Sequence, residues 1–380
     1  MDLVLNEEQT MLNNTAREFI KANSPITRMR KLRDDKDPFG YSKEMWKEMA
    51  ELGWASILFS EEDGGLGLGM AEVVLVSEAL GRGLAPEPFL SSIMLAGQAL
   101  ALGGSKELRE EWLGPAIYGE KVLALAYQEK GGRFSLNRVA ARAEKTADGY
   151  RLNGEKTQVL DGQGADAIIV SARTSGGEED AEGISLFLVP KETRGLTVTR
   201  QSRVDSRNVA LVNLKDVMVS ESNVVGAVGQ GGQLLSQVIE PATVALCGEM
   251  LGGMSAAFER TLGYLKERVQ FDVAIGTFQG LKHRAARMFM EIELARSVVM
   301  AAARALDEKA ENKSRLVSTA KARCSDAYML ITNEAVQMLG GIGMTDEEDV
   351  GFYMKHAKVA EMTFGDAAYH RDRFAALKGF

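Results

Sequence analysis

The hydrophobic repeat of this 380-residue chain changes period twice, and that limits its possible folds more than any single motif does. Asn6-Glu7-Glu8-Gln9 has the form of a capping box, and Met11, Leu12, Ala16, Phe19 and Ile20 then fall on one helical face. Residues 42–52, 71–84 and 91–102 keep the helical period. From about 122 to 219 the period becomes two. Strands are expected at 167–172, 184–189, 196–200 and 209–219, with glycine and charge clusters between them. Segments 150–152 and 156–160 flank Asn153-Gly154, a pair suited to a tight hairpin turn. Beyond Gly226–Gly232, long helices with wide apolar stripes are expected over 234–270, 277–311 and 314–338, enough to form a bundle. The predicted class is α+β multidomain, with a helical domain at 1–121, a β domain at 122–229 and a helical bundle at 230–380.

Composition narrows the function. Hydrophobic residues make up 45% and charged residues 26%, the profile of a globular protein. A net charge of −8 argues against nucleic acid or an anionic membrane as main partner. No apolar run reaches the ~20 residues that span a bilayer, and the N-terminus lacks a secretory layout. The two cysteines, Cys247 and Cys324, cannot make a disulfide framework or a structural zinc site, and a cytoplasmic location is expected.

Familiar catalytic patterns are missing. The three histidines, His283, His356 and His370, belong to no metal-ligand or serine-hydrolase pattern. Gly64-Gly65-Leu66-Gly67-Leu68-Gly69 is rich enough in glycine to suggest a nucleotide loop. It lies between helices, however, where the dinucleotide fingerprint needs a preceding strand, and it reads as a turn.

Three segments carry a family resemblance. Arg268-Val269-Gln270-Phe271 with Phe278 and Gln279, then Gln337-Met338-Leu339-Gly340-Gly341, then Tyr127-Gln128-Glu129 with Gln158-Val159-Leu160, resemble the flavin-contacting segments of acyl-CoA dehydrogenases. The resemblance covers nearly the whole chain. It implies an N-terminal helical domain, a middle β-barrel domain and a C-terminal four-helix bundle that bind FAD. Arg268 would pair with the cofactor's pyrophosphate, for which a permanently charged guanidinium is suited. Phe271 and Gln279 would lie beside it, and Gln337, Gly340 and Gly341 would reach the FAD of a neighbouring subunit. Tyr127, Gln128, Gln158 and Leu160 would face the flavin. Leu160 stands where the family usually has a hydrogen-bonding threonine, so only its backbone can serve. Asp272 replaces the usual glycine after Phe271.

The resemblance implies oxidation of an acyl-CoA thioester at its α,β carbons, with electrons passed to an electron-transfer flavoprotein. An acyl-CoA oxidase would share these motifs. The reaction needs a carboxylate base whose pKa is raised by burial near the thioester. The segment Thr363-Phe364-Gly365-Asp366 matches the place where many members carry that base, and Phe364 occupies the glutamate's position. Two other carboxylates are candidates. Asp366 lies two residues on, where it would equally cap a helix. Glu249 sits among apolar and small residues, where an isolated carboxylate is costly unless used or paired. The third possibility is that a partner chain supplies the base. Residues 364–371 resemble the ending of bacterial small-subunit dehydrogenases, which form α2β2 assemblies acting on bulky or dicarboxylic acyl-CoAs. The oligomer is thus a homodimer, homotetramer or such a heterotetramer.

Overall fold

The capping box forms as its sequence predicts. In the computed structural model, which describes residues 5–380, the Gln9 N–H donates to the Asn6 side chain at 2.8 Å and the Asn6 N–H donates back at 3.2 Å. Helix α1 (Glu7–Asn23) follows, then α2 (Ile26–Asp34) and α3 (Lys43–Glu51), which Ser42 caps. The glycine run 64–69 is a turn leading into α4 (Met70–Arg82), with no strand before it. A π-helical stretch, Phe89–Gly97, runs into α5 (Gln98–Gly103), and the short α6 (Lys106–Leu108) and α7 (Gly114–Ile117) complete this helical part.

Strands β1 (Leu123–Ala126), β2 (Arg142–Thr146), β3 (Gly149–Leu160), β4 (Ala167–Arg173), β5 (Ile184–Pro190), β6 (Leu196–Gln201), β7 (Val209–Val219) and β8 (Val224–Val225) form one sheet. Its order is β6-β7-β3-β2-β4-β5-β8, with β1 parallel to β4. Alternate residues point inward. Leu152, Val170, Phe187, Val212 and Val217 pack there, with the Tyr150 and Phe187 rings 5.0 Å apart.

Asn153-Gly154 is not a hairpin turn. β3 runs straight through it, and the turn from β2 lies at Ala147-Asp148, between paired Thr146 and Gly149. Asn153-Gly154 instead makes a bulge against β7, where the register shifts between Leu152 and Gly154. The Asp216 N–H donates to the Asn153 side chain at 2.8 Å, and a Cβ at 154 would lie 2.5 Å from that of Ala141. A short amide side chain and a missing Cβ suit a bulge as well as a turn, and cross-strand pairing decides between them.

The first long helix also ends earlier than its apolar stripe suggests. α8 (Gly231–Glu267) gives way to a hairpin of β9 (Val269–Gln270) and β10 (Val273–Ala274). Phe271 and Asp272 form its turn with φ of 55° and 62°, the left-handed pair that a two-residue hairpin requires. Helices α9 (Gln279–Asp307), α10 (Lys313–Leu339), α11 (Val350–Met362) and α12 (Ala367–Lys378) complete the chain. Among the described residues only α8 is long and apolar enough to cross a membrane. Some 67% of its most apolar window is buried in the protein, as in a core helix.

The chain divides into two units. One comprises the residues up to Lys31, Gly69–Ala85 and Thr243–Phe380; the other comprises Leu32–Leu68 and Pro86–Ala242. In the first, α1 packs on α4, α4 on α9, and α10 on α9, α11 and α12. Paired glycines set the crossing of α4 with the later part of α8. A Cβ on Gly81 would lie 1.9 Å from the Glu249 carbonyl oxygen, and one on Gly252 would lie 1.9 Å from that of Glu78. The two backbones therefore touch, and a single methyl at either position would force them apart.

Candidate active site

The turn between α11 and α12 carries the position of the expected base. The helix stops at Met362, and the Thr363 N–H closes it on the carbonyls of Val359 and Ala360 at 3.0 and 3.3 Å. Phe364 then takes a left-handed φ of 60° and Gly365 a φ of 111°. A buried aromatic residue in that region is strained by about 1–2 kcal/mol and persists only where its surroundings impose it. Two buried side chains do so here. His370 Nε2 lies 3.0 Å from the Phe364 carbonyl oxygen, and Lys321 Nζ donates to the carbonyls of Gly365 at 2.7 Å and Glu361 at 2.9 Å.

Both cradle residues titrate away from their ordinary values. Burial lowers the Lys321 ammonium to about 8. Burial, and then the Lys321 charge, lower His370 to about 4, so its imidazole is neutral at pH 7. A carbonyl only accepts, so the His370 proton sits on Nε2. Neither residue was singled out as functional in the sequence. The available signal for Lys321 was a lysine set among the alanines of Ala320-Lys321-Ala322.

The two candidate carboxylates have structural engagements. Asp366 is the N-cap of α12, its side chain accepting the Tyr369 N–H at 2.8 Å. Glu249, only 7% exposed, faces buried His356 on α11 with 3.2 Å between Oε1 and Nε2. The Tyr328 ring stands edge-on to that imidazole at 6.0 Å. The pairing that a carboxylate among apolar residues needs is thus made with a histidine.

The expected cofactor residues of this unit gather at one end of the α9–α10 pair. Arg268 and Phe271 lie on the β9–β10 hairpin, and Gln279 begins α9. Gln337 lies in the last turn of α10, with Gly340 and Gly341 just after the helix. The two helices run antiparallel, and the Arg284–Glu334 ion pair ties them near this end. Phe271 is 86% exposed and meets Phe278 edge-on at 6.1 Å. Gly340 has φ 66°, and a Cβ there or at Gly341 would meet nothing within 4 Å.

In the β unit, Tyr127 and Gln128 follow β1, and the Thr157 N–H donates to the Gln128 carbonyl at 2.9 Å, bringing Gln158 alongside. Gln158 has φ 53° at a second register shift of β3 against β7, and Leu160 ends the strand. Beneath them, fully buried Lys156 pairs with Glu129 at 2.6 Å and donates to Ser171 at 2.9 Å. Burial lowers its ammonium to about 8 against the raising effect of Glu129. The Glu129 carboxylate also accepts the N–H groups of Ala140 and Ala141. Buried Arg173 donates to the carbonyls of Asn137, Val139, Glu178, Asp180 and Glu182, clamping the loops at 137–139 and 178–182.

Three family descriptions match in order along the sequence. They are the acyl-CoA dehydrogenase N-terminal domain over residues 6–120, the middle domain over 124–217 and the C-terminal domain over 229–377. This chain belongs to the acyl-CoA dehydrogenase family. It is 29% identical over 374 residues to the pig mitochondrial short-chain specific acyl-CoA dehydrogenase, a match covering 97% of this chain and 89% of that one. Among solved structures it is similar to the ChsE4-ChsE5 complex from Mycobacterium tuberculosis, with 28% identity and TM-score 0.90 over 100% of this chain and 99% of that one. It is also similar to PigA with FAD and proline, with 25% identity and TM-score 0.92 over 100% and 99% of the two chains.

Acyl-CoA dehydrogenases are flavoproteins, and the cofactor of this chain is FAD. Its residues fit that group: Arg268 offers a cation for phosphate, Phe271 an exposed aromatic face, and Gly340 and Gly341 backbone that a ligand can approach closely.

Proposed function

We propose that this chain is one subunit of a hetero-oligomeric, FAD-dependent acyl-CoA dehydrogenase whose catalytic carboxylate is supplied by a homologous partner chain. One observation carries the reading: Phe364 holds the base position in a strained left-handed pose. The nearby carboxylates have other work, Asp366 as a helix cap and Glu249 against His356. Likeness to ChsE4-ChsE5, described as a complex, supports the assembly.

The reaction is α,β-dehydrogenation of an acyl-CoA thioester to the trans-2-enoyl-CoA. FAD, when bound, would supply the acceptor for the hydride that leaves Cβ as the base removes the α-proton. Arg268 would hold the cofactor's pyrophosphate with Phe271 and Gln279 beside it, and Gln337, Gly340 and Gly341 would reach the FAD of a neighbouring subunit. Tyr127, Gln128, Gln158 and the Leu160 backbone serve the flavin from the β unit. The Phe364 N–H donates to no group among the described residues. It is free to bind the thioester oxygen as enolate-like charge develops there, a preorganised donor at the site of new charge. A bulky or dicarboxylic acyl group, an electron-transfer flavoprotein as acceptor and a cytoplasmic location complete the reading.

The test is the visible spectrum of the purified chain, alone and with its partner, under anaerobic addition of acyl-CoAs. Flavin that bleaches only in the complex is expected. Bleaching by the chain alone would overturn the reading and return the base to Asp366 or Glu249. Rapid turnover with oxygen would make the complex an oxidase.

A further inference from the structure

The strain at Phe364 needs a cause, because αL geometry in a bulky residue reverts unless several contacts hold it. The peptide planes on both sides of the one carrying the Phe364 N–H have anchors. The plane before it is tied to α11 through the Thr363 N–H. The plane after it is held through the Phe364 carbonyl by His370 Nε2 at 3.0 Å, and the following one through the Gly365 carbonyl by Lys321 Nζ at 2.7 Å. Lys321 spends its remaining donors on the Glu361 carbonyl and Ser325 Oγ. Gly365 is indispensable to the arrangement: a Cβ there would lie 2.3 Å from Tyr369 Cδ1 and 2.9 Å from His370 Nε2.

We infer that Lys321 and His370 are positioning residues that fix the Phe364 N–H as a hydrogen-bond donor to the substrate's thioester oxygen. Neither touches substrate. They act through the peptide planes of Phe364 and Gly365, so that the donor survives although the carboxylate side chain of its position is gone. A partner-supplied base would then work against an oxyanion donor retained on this chain. This inference rests on the acyl-thioester reading above.

The experiment uses the complex with its partner and follows flavin absorbance on titration with octanoyl-CoA and cholanoyl-CoA. Each ester is set beside its thioether analogue, in which a methylene replaces the carbonyl. The ratio of the two affinities reports the oxyanion donor and cancels general effects on binding. In His370→Phe and Lys321→Met the preference for the thioester should fall about ten-fold, the scale of one hydrogen bond to a charged group. The thioether affinity should hold. His370→Gln, whose amide N–H can reach the same carbonyl, should restore the preference to within about three-fold. A purely structural role would lower the melting temperature and leave the ratio unchanged, and that result overturns the inference. If Lys321→Met does not fold, the His370→Phe and His370→Gln pair decides. A wild-type complex that binds neither pair of compounds removes the acyl-thioester reading itself. One that binds esters and thioethers equally removes only the positioning role.

Discussion

Glu249 on α8 and His356 on α11 face each other across 3.2 Å, 7% and 3% exposed. The carboxylate that the sequence offered as a base is thus a partner in joining two helices of one unit. Glu249→Gln should leave acyl-CoA-dependent bleaching of the complex intact. Glu249→Ala removes one partner of a buried pair and should lower unfolding free energy by about 3 kcal/mol, measured by urea denaturation. Loss of bleaching in a folded, flavin-loaded Glu249→Gln would restore it as a base.

Phe364 has a left-handed backbone pose that the turn imposes, and on the proposed reading only its side chain keeps this position from acting as a base. Phe364→Glu should give a chain whose bound flavin bleaches with acyl-CoA in the absence of the partner. A flavin-loaded variant that stays unresponsive would mean that position 364 is not the base site.

Arg268 is placed on the β9–β10 hairpin beside exposed Phe271. A charge-assisted phosphate contact is worth about 1.5–3 kcal/mol, or roughly ten- to a hundred-fold in affinity. Arg268→Ala should lose FAD on dialysis by that factor, read from absorbance per chain. Undiminished retention would undo the cofactor assignment.

Lys156 gives a pH dependence with a definite sign. Its ammonium titrates near 8 when folded, below the 10.5 of an exposed lysine. Between those values the unfolded chain binds more protons, so stability rises with pH across that window and falls again as pH drops through about 8. Wild type should therefore gain about 3 kcal/mol relative to Lys156→Met between pH 7.5 and 10.5. Urea denaturation at the two pH values measures it; a flat difference would mean that Lys156 is not desolvated.

Much of the architecture was legible because period and caps are local. The Asn6 capping box, the strands near 167–172 and 209–219, and the three long helices follow from side chains a few residues apart. Asn153-Gly154 was misread as a hairpin because its chemistry fits both a turn and a bulge. The choice rests with Ala141 and Asp216, which meet it only across strands. The end of α8 at Glu267 was likewise hidden, since apolar Val269 and Phe271 extend the helical stripe while the fold turns them outward.

The sequence by itself determined the family and the absence of a glutamate at position 364, because each is a matter of residue identity and spacing. Only the tertiary structure decided what the remaining groups do. Asp366 became a cap, Glu249 met His356, and Lys321 and His370 converged on one turn from positions 49 residues apart in sequence. Burial explains the difference. A carboxylate or ammonium removed from water must find a partner, and in these helices the partner lies on another element, at a distance along the chain that no local pattern encodes.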